Sequence, residues 1–347
     1  MKETANQYYQ LVSRQHRVML VMGLFLAASV LIALNVGPIR LNWSDLWADA
    51  HSLQWRILVD IRFPRVLAAI LAGGALSMSG LAMQHVLRNP LASPFTLGVS
   101  GAAAFGAAFA IVVFGVPSWL TTSQSPVAHV ASRFFTGGLA FLFSLLSVFI
   151  ILLVMKRRGS RPSVIVLAGI MTSSLFSACT SALQYFADDR QLAEIVFWTF
   201  GDPGRAGYVL LLVQSAIILP VMIWMIRHRW DFALLQSGDD AARAGGLNPA
   251  RFRLRVLILA SLVTSAVVSG YGIISFVGLV APHLCRPFIK GQSMAMGASV
   301  LFGGLFLLLS DILARSILQP VILPVSIVTA FFGAPFFIVM LIQNREL

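Results

Sequence analysis

The feature that most constrains this chain is a succession of long apolar runs separated by short polar loops. Such runs fall at 18–36, 64–85, 95–116, 137–155, 164–186, 207–226, 256–268, 273–285, 294–313 and 324–342. A helix rises about 1.5 Å per residue, so about 20 apolar residues cross the hydrocarbon core of a bilayer. Backbone polar groups find no partner in lipid, so runs of this kind must fold as helices. The seventh and eighth runs are short and flank Gly270-Tyr271-Gly272, which predicts a broken or re-entrant pair. Only 11% of residues are charged, against about 25% for a soluble domain. A water-soluble globular enzyme is thereby excluded. The expected fold is an all-α membrane protein of about ten transmembrane helices, with residues 1–347 forming one transmembrane domain. The first run is long and lacks a small-residue cleavage site, so it reads as a retained helix and not a signal peptide.

A formal charge of +12 sits on this apolar background. On a soluble chain that would point to nucleic acid. With ten alternating helices and the N-terminus inside, seventeen basic and five acidic residues fall on the inner side, and eight of each on the outer. The whole excess lies on one side, as the positive-inside rule requires. Both termini are therefore expected in the cytoplasm. Residues 1–17 form a cytoplasmic N-terminal segment and 227–255 a long cytoplasmic loop, and no nucleic-acid partner is expected.

The chain lacks a G-x-x-x-x-G-K-[ST] pattern, and its lysines (Lys2, Lys156, Lys290) have no glycine-rich approach, so it supplies no P-loop for ATP. Cys179 and Cys285 lie apart in apolar runs, and the six histidines are scattered. No metal site and no catalytic residue is expected. No carboxylate lies mid-span, which argues against an ion-coupled secondary transporter, the reading from a different class.

Three features stand out. Asp311 precedes Arg315 by four residues and reads either as an i,i+4 ion pair or as a functional group. Arg62 and Arg65 flank Phe63-Pro64 at the outer start of the second run. They read either as snorkelling side chains or as an outward-facing cationic patch for an acidic partner. In the 227–255 loop, Asp239 or Asp240 can start a short helix that Gly245-Gly246 ends. Such a helix reads as a docking surface for a soluble subunit or as a plain connector.

Several segments together resemble the FecCD/BtuC-like family of ABC-transporter permeases. They include NPLASP (89–94), the Trp198 to Gly201 turn, GDDAARAGGLNPAR (238–251), FVGLVAPHLCR (276–286) and FFGAPFF (331–337), in the family's order. The resemblance implies a BtuC-like type II importer permease, multi-pass in the bacterial inner membrane. It implies a second permease subunit (a homodimer or heterodimer) and a periplasmic or lipid-anchored substrate-binding protein. Two cytoplasmic ATP-binding subunits would carry ATP-Mg, with no cofactor on this chain. The cargo it favours is a ferric siderophore, with haem or cobalamin as alternatives. Matched onto this sequence, binding-protein docking falls on Arg62, Arg65 and Arg315. ATPase docking falls on Asp239, Asp240, Ala241, Ala242, Arg243, Gly245, Gly246 and Leu247. The inner gate falls on Asn89, Pro90 and Leu91, with Ser163 as a weaker match. Ile322 and Ser326 depart from the acidic residue and glycine that many relatives carry near this turn.

Overall fold

Small side chains decide which helix takes the centre. The stretch from Ala68 to Ala82 is rich in Ala, Gly and Ser, and in lipid such residues let helix backbones approach closely. In a computed structural model of the chain, this stretch is the buried axis of an almost entirely helical bundle. The structure describes residues 2–39, 41, 52–115, 126–159, 161–289 and 291–343. Of the charges counted above, Arg40, Asp45, Asp49, Lys290, Arg345 and Glu346 lie outside the described residues, as does the end of the third run.

The helices are α1 (Lys2–Asn35), α2 (Phe63–Leu87), α3 (Val99–Phe114), α4 (Pro126–Arg158), α5 (Pro162–Phe186), α6 (Asp189–Thr199) and α7 (Tyr208–Arg227). They continue with α8 (Arg229–Gln236), α9 (Asp239–Ala244), α10 (Pro249–Tyr271), α11 (Val277–Cys285), α12 (Gln292–Ser316) and α13 (Val325–Gln343). One helical turn and a π-turn, Ile57–Arg62, lead into α2 without a break. Among the described residues, seven helical stretches are long and apolar enough to cross a membrane, and Val99–Phe114 and Val325–Met340 are shorter apolar helices. Large apolar side chains such as Leu24, Leu142, Leu212 and Phe331 face outward, the distribution expected of a multi-pass membrane protein.

α2 packs against α10, α11 and α12. Ser77 and Ser299 share a hydrogen bond of 2.6 Å across the α2–α12 contact. A Cβ on Gly80 would fall inside the Gly278 carbonyl of α11, a backbone group that has nowhere to move. Gly80→Ala is therefore expected to cost about 1–3 kcal/mol or more, read as a lowered unfolding midpoint of the purified chain. A midpoint unchanged by the methyl group would show that the two helices are not in contact.

Two expectations are corrected. The seventh run is not short: α10 extends from Pro249 to Tyr271. Asn248 caps it by accepting from the Arg251 amide at 3.1 Å, and Pro249 stands at its first turn. The apolar scan stopped at the arginines, whereas the helix runs through them to its cap. The break lies wholly in the eighth run, where α11 has only nine residues. Before α11 the chain is extended, and Ile273 forms an isolated parallel bridge with Phe200. Phe276 then adopts φ +67°, unusual for a bulky residue. An added Cβ on Gly333 of α13 would lie 2.5 Å from the Phe276 Cβ and ring, so this glycine makes room for the turn. The second correction is α6, an amphipathic helix that the runs did not show. Asp188 and Gln191 form its capping box.

Candidate functional site: two ion clusters at the ends of the central helix

α2 is 25 residues long, about 37 Å, and carries an arginine cluster at each end. At its start, Arg65 Nε donates to Asp311 Oδ1 at 2.9 Å and Nη2 to Asp202 Oδ1 at 2.8 Å. Arg315 Nη2 lies 2.9 Å from Asp311 Oδ2, an ion pair set off the hydrogen-bonding direction. Arg315 Nη1 also donates to the carbonyls of Ala33 (3.1 Å) and Val36 (2.6 Å). The π-turn aims Arg62 at the same helix end, where it donates to the Leu34, Asn35 and Ile39 carbonyls. The last carbonyls of a helix have no partner within it and carry the negative end of its dipole, so two guanidinium groups satisfy them here.

The structure thus brings Arg62, Arg65 and Arg315 together, but not as an exposed patch. Their exposures are 4%, 6% and 2%, and Asp311 is fully buried. This corrects the outward-facing cationic surface expected from sequence. The arginines are consumed within the chain because burying a charge is tolerable only when it is paired. Of the two readings of Asp311 and Arg315, the i,i+4 ion pair is present, enlarged by Arg65 and Asp202.

At the other end, α2 closes on Arg88, whose φ of +46° reverses the chain. Arg88 Nη2 reaches Asp239 Oδ1 at 2.5 Å and the Leu235 carbonyl at 3.0 Å. Arg253 of α10 grips the same carboxylate with both terminal nitrogens, at 2.9 and 2.6 Å, while its Nε donates to the Val86 carbonyl at 3.2 Å. A bidentate guanidinium–carboxylate pair is strong and fixed in direction. Hydrogen bonds from Arg253, assisted by the charges of Arg253, Arg88 and Arg243 against an opposing desolvation, hold the Asp239 carboxyl below its ordinary range.

Asp239 opens α9, so this cluster pins the short helix of the long loop to the ends of α2 and α10. Ala242 is the buried residue of α9, and Leu247 is half-buried. Asp240, Ala241, Arg243, Gly245 and Gly246 are exposed. Gly246 at φ +83° ends the helix, with the Leu247 amide donating to the Ala242 carbonyl at 2.9 Å. Arg243 and Asp240 are only 3.4 Å partners on the surface. The result is a small, rigid, mostly small-residue protrusion. α8 lies beside it, with Leu234 against Gly245, and is itself held to α10 where Phe232 meets Phe252 edge to face at 5.0 Å.

Asn89, Pro90 and Leu91 follow Arg88 directly. Asn89 Oδ1 accepts from the Leu91 amide at 2.9 Å, an Asx turn that leaves Leu91 partly exposed. Ser163 is exposed in the first turn of α5. The residues missed from sequence are Asp202, Arg88 and Arg253. Each had been counted only as a loop charge, and nothing local to them names a partner 246 or 151 residues away, as for Arg65–Asp311 and Arg88–Asp239.

Residues 25–343 match the FecCD transport family. The chain is 35% identical over 334 residues to the hemin transport system permease protein HmuU of Yersinia pestis, covering 94% of this chain and 96% of that protein. It is 34% identical over 330 residues to the vitamin B12 import system permease protein BtuC of Vibrio cholerae, covering 94% of each. An inward-facing structure of a metal-chelate type ABC transporter superposes with a TM-score of 0.82 at 28% identity, over 94% of this chain and 99% of that one. Together with the helical bundle built around α2, these matches place the chain in the FecCD transport family of membrane permeases.

Proposed function

We propose that this chain is the permease subunit of a binding-protein-dependent ABC importer that moves a ferric siderophore inward by ATP-driven alternating access. The observation that carries this reading is the Asp239 cluster. It fastens an exposed short helix to the segment that begins Asn89-Pro90-Leu91. A soluble ATPase docked on α9 would shift Asp239, and Arg88 and Arg253 would pass that shift to α2 and α10 as one rigid unit. Asn89-Pro90-Leu91, joined covalently to Arg88, would move with it as the inner gate.

In this reading the chain works with a second permease subunit, two cytoplasmic ATP-binding subunits carrying ATP-Mg, and an external substrate-binding protein. It lies in the bacterial inner membrane with both termini inside. The end of α2 that holds Arg65 faces outward, and the end that holds Arg88 faces the ATPases. Binding-protein docking through Arg62, Arg65 and Arg315 would act through the shape that the buried cluster fixes, not through direct ion pairs.

Haem and cobalamin are the alternative cargoes, and HmuU and BtuC carry those names. Uptake of labelled ferric siderophore, haem and cobalamin in a strain lacking this gene separates the three. Loss of siderophore uptake alone, restored by the gene, is the expected result. Loss of haem or cobalamin uptake with siderophore uptake intact would move the assignment to that cargo.

A further inference from the structure

A cleft of about 1060 Å³ lies between α4 and α7, with α10 as its floor. Both helices pack on α10, yet among the described residues they make no substantial contact with each other. All three are long apolar helices, so a gap between α4 and α7 opens sideways onto the bilayer. Its walls are apolar, with Phe134, Phe141, Phe197, Val213 and Ile217 among them. An empty cleft of this size would forfeit the dispersion contacts of its whole lining. In a membrane the material at hand to fill it is lipid.

One end of the cleft is cationic. Arg133 and Arg205 both line it, and among the described residues neither forms a salt bridge. Arg205 directs its guanidinium at the carbonyls of Phe197 (2.6 Å), Trp198 (3.2 Å) and Phe200 (2.8 Å), which are neutral acceptors, and no carboxylate among the described residues pairs with it directly, although the charge of Asp202 acts on it from a distance. Burial first, and the nearby charge of Arg133, lower its hold on its proton, with Asp202 opposing. Glu194 at the same rim is partnered by Arg190 at 3.5 Å. Two guanidinium groups without a direct ion pair, above an apolar cleft, are complementary to a phosphate carried on acyl chains.

We propose that the α4–α7 cleft binds one anionic phospholipid, its phosphate between Arg133 and Arg205 and an acyl chain lying along α10. The site is separate from both ion clusters and from the docking helix. Gly138 provides the sharpest probe. It lines the cleft, and a Cβ built there meets no atom within 4 Å, so a side chain added at this position starts into open space.

The test uses the purified full-length chain, stripped of lipid, in neutral detergent. Phosphatidylglycerol, phosphatidylcholine and inorganic phosphate are added separately, and the unfolding midpoint is followed. Phosphatidylglycerol at about 100 times its Kd is expected to raise the midpoint by about 4 °C, with phosphatidylcholine and phosphate giving much less. Gly138→Phe is expected to abolish the response. Arg133→Gln, at an exposed position with no hydrogen bond or ion pair among the described residues, is expected to make the two lipids equivalent. Equal shifts from both lipids in the unmodified chain would overturn the proposal, as would a phosphatidylglycerol response that survives Gly138→Phe. A photo-crosslinker at position 138 that captures a protein segment in native membranes would also overturn it.

Discussion

Replacing Asp311 by Asn is expected to destabilise the chain by about 3–5 kcal/mol, the cost of leaving buried charges without their partner. Asp311 is fully buried between Arg65 and Arg315, and only Asp202, itself a third exposed, would remain to compensate them. Asn keeps the shape of the carboxylate and removes its charge, so the loss isolates electrostatics from packing. The measurement is the unfolding midpoint of the purified variant in detergent. A charge-balancing second change, Arg315→Gln, is expected to recover part of the loss although it gives up bonds to Ala33 and Val36. The double variant should therefore be more stable than the sum of the two single changes. An Asp311→Asn variant within about 1 kcal/mol of the parent would mean that water reaches this cluster and that its arginines are available to a partner after all.

The second large effect is functional. Asp239→Ala removes the one carboxylate that Arg88 and Arg253 share, and hydrogen bonds to charged groups are each worth about 1.5–3 kcal/mol. If α9 transmits ATPase motion, losing this anchor should lower ATP-driven uptake at least tenfold while the chain still inserts and folds. Arg253→Lys, which keeps the charge but loses the fork, should fall between the two. The pH dependence has a definite sign. The Asp239 carboxyl is held below its ordinary range. Its contribution is therefore complete above about pH 4, the unperturbed carboxylate value, and fades only as pH falls through the lowered folded value. Uptake by the parent should show no change from this group between about pH 5 and 8, and Asp239→Asn should be impaired throughout that range. A variant with full uptake would remove α9 from the transmission path.

The membrane bundle could be read directly from the runs, because lipid leaves a chain few options and apolar length reports them. The short eighth segment was also legible, since a glycine-rich step precedes it, and Gly272 at φ +81° does end α10. The true start of α10 was not, because Arg251, Arg253 and Arg255 look like loop residues until Asn248 is seen to cap them. The short helix α9 could be found from its acidic first turn and from Gly245-Gly246 at its end, although its N-cap is Gly238 and the Asp239 side chain does not cap it. Its anchor could not, since Arg88 and Arg253 meet Asp239 only through the packing of α2 on α10. The arginines at the start of α2 show the same limit in reverse. Exposure is a property of the packed bundle, and the carbonyl end of α1 together with Asp311 and Asp202 draws these arginines inward.

Transport by the isolated parts decides the central claim most directly. The chain is reconstituted in liposomes with its ATPase subunits inside and the binding protein outside, and entry of radiolabelled ferric siderophore is followed. Uptake that needs internal ATP and the binding protein, and that collapses with Asp239→Ala, is the expected result. Uptake that proceeds without ATP and follows an imposed ion gradient would contradict it.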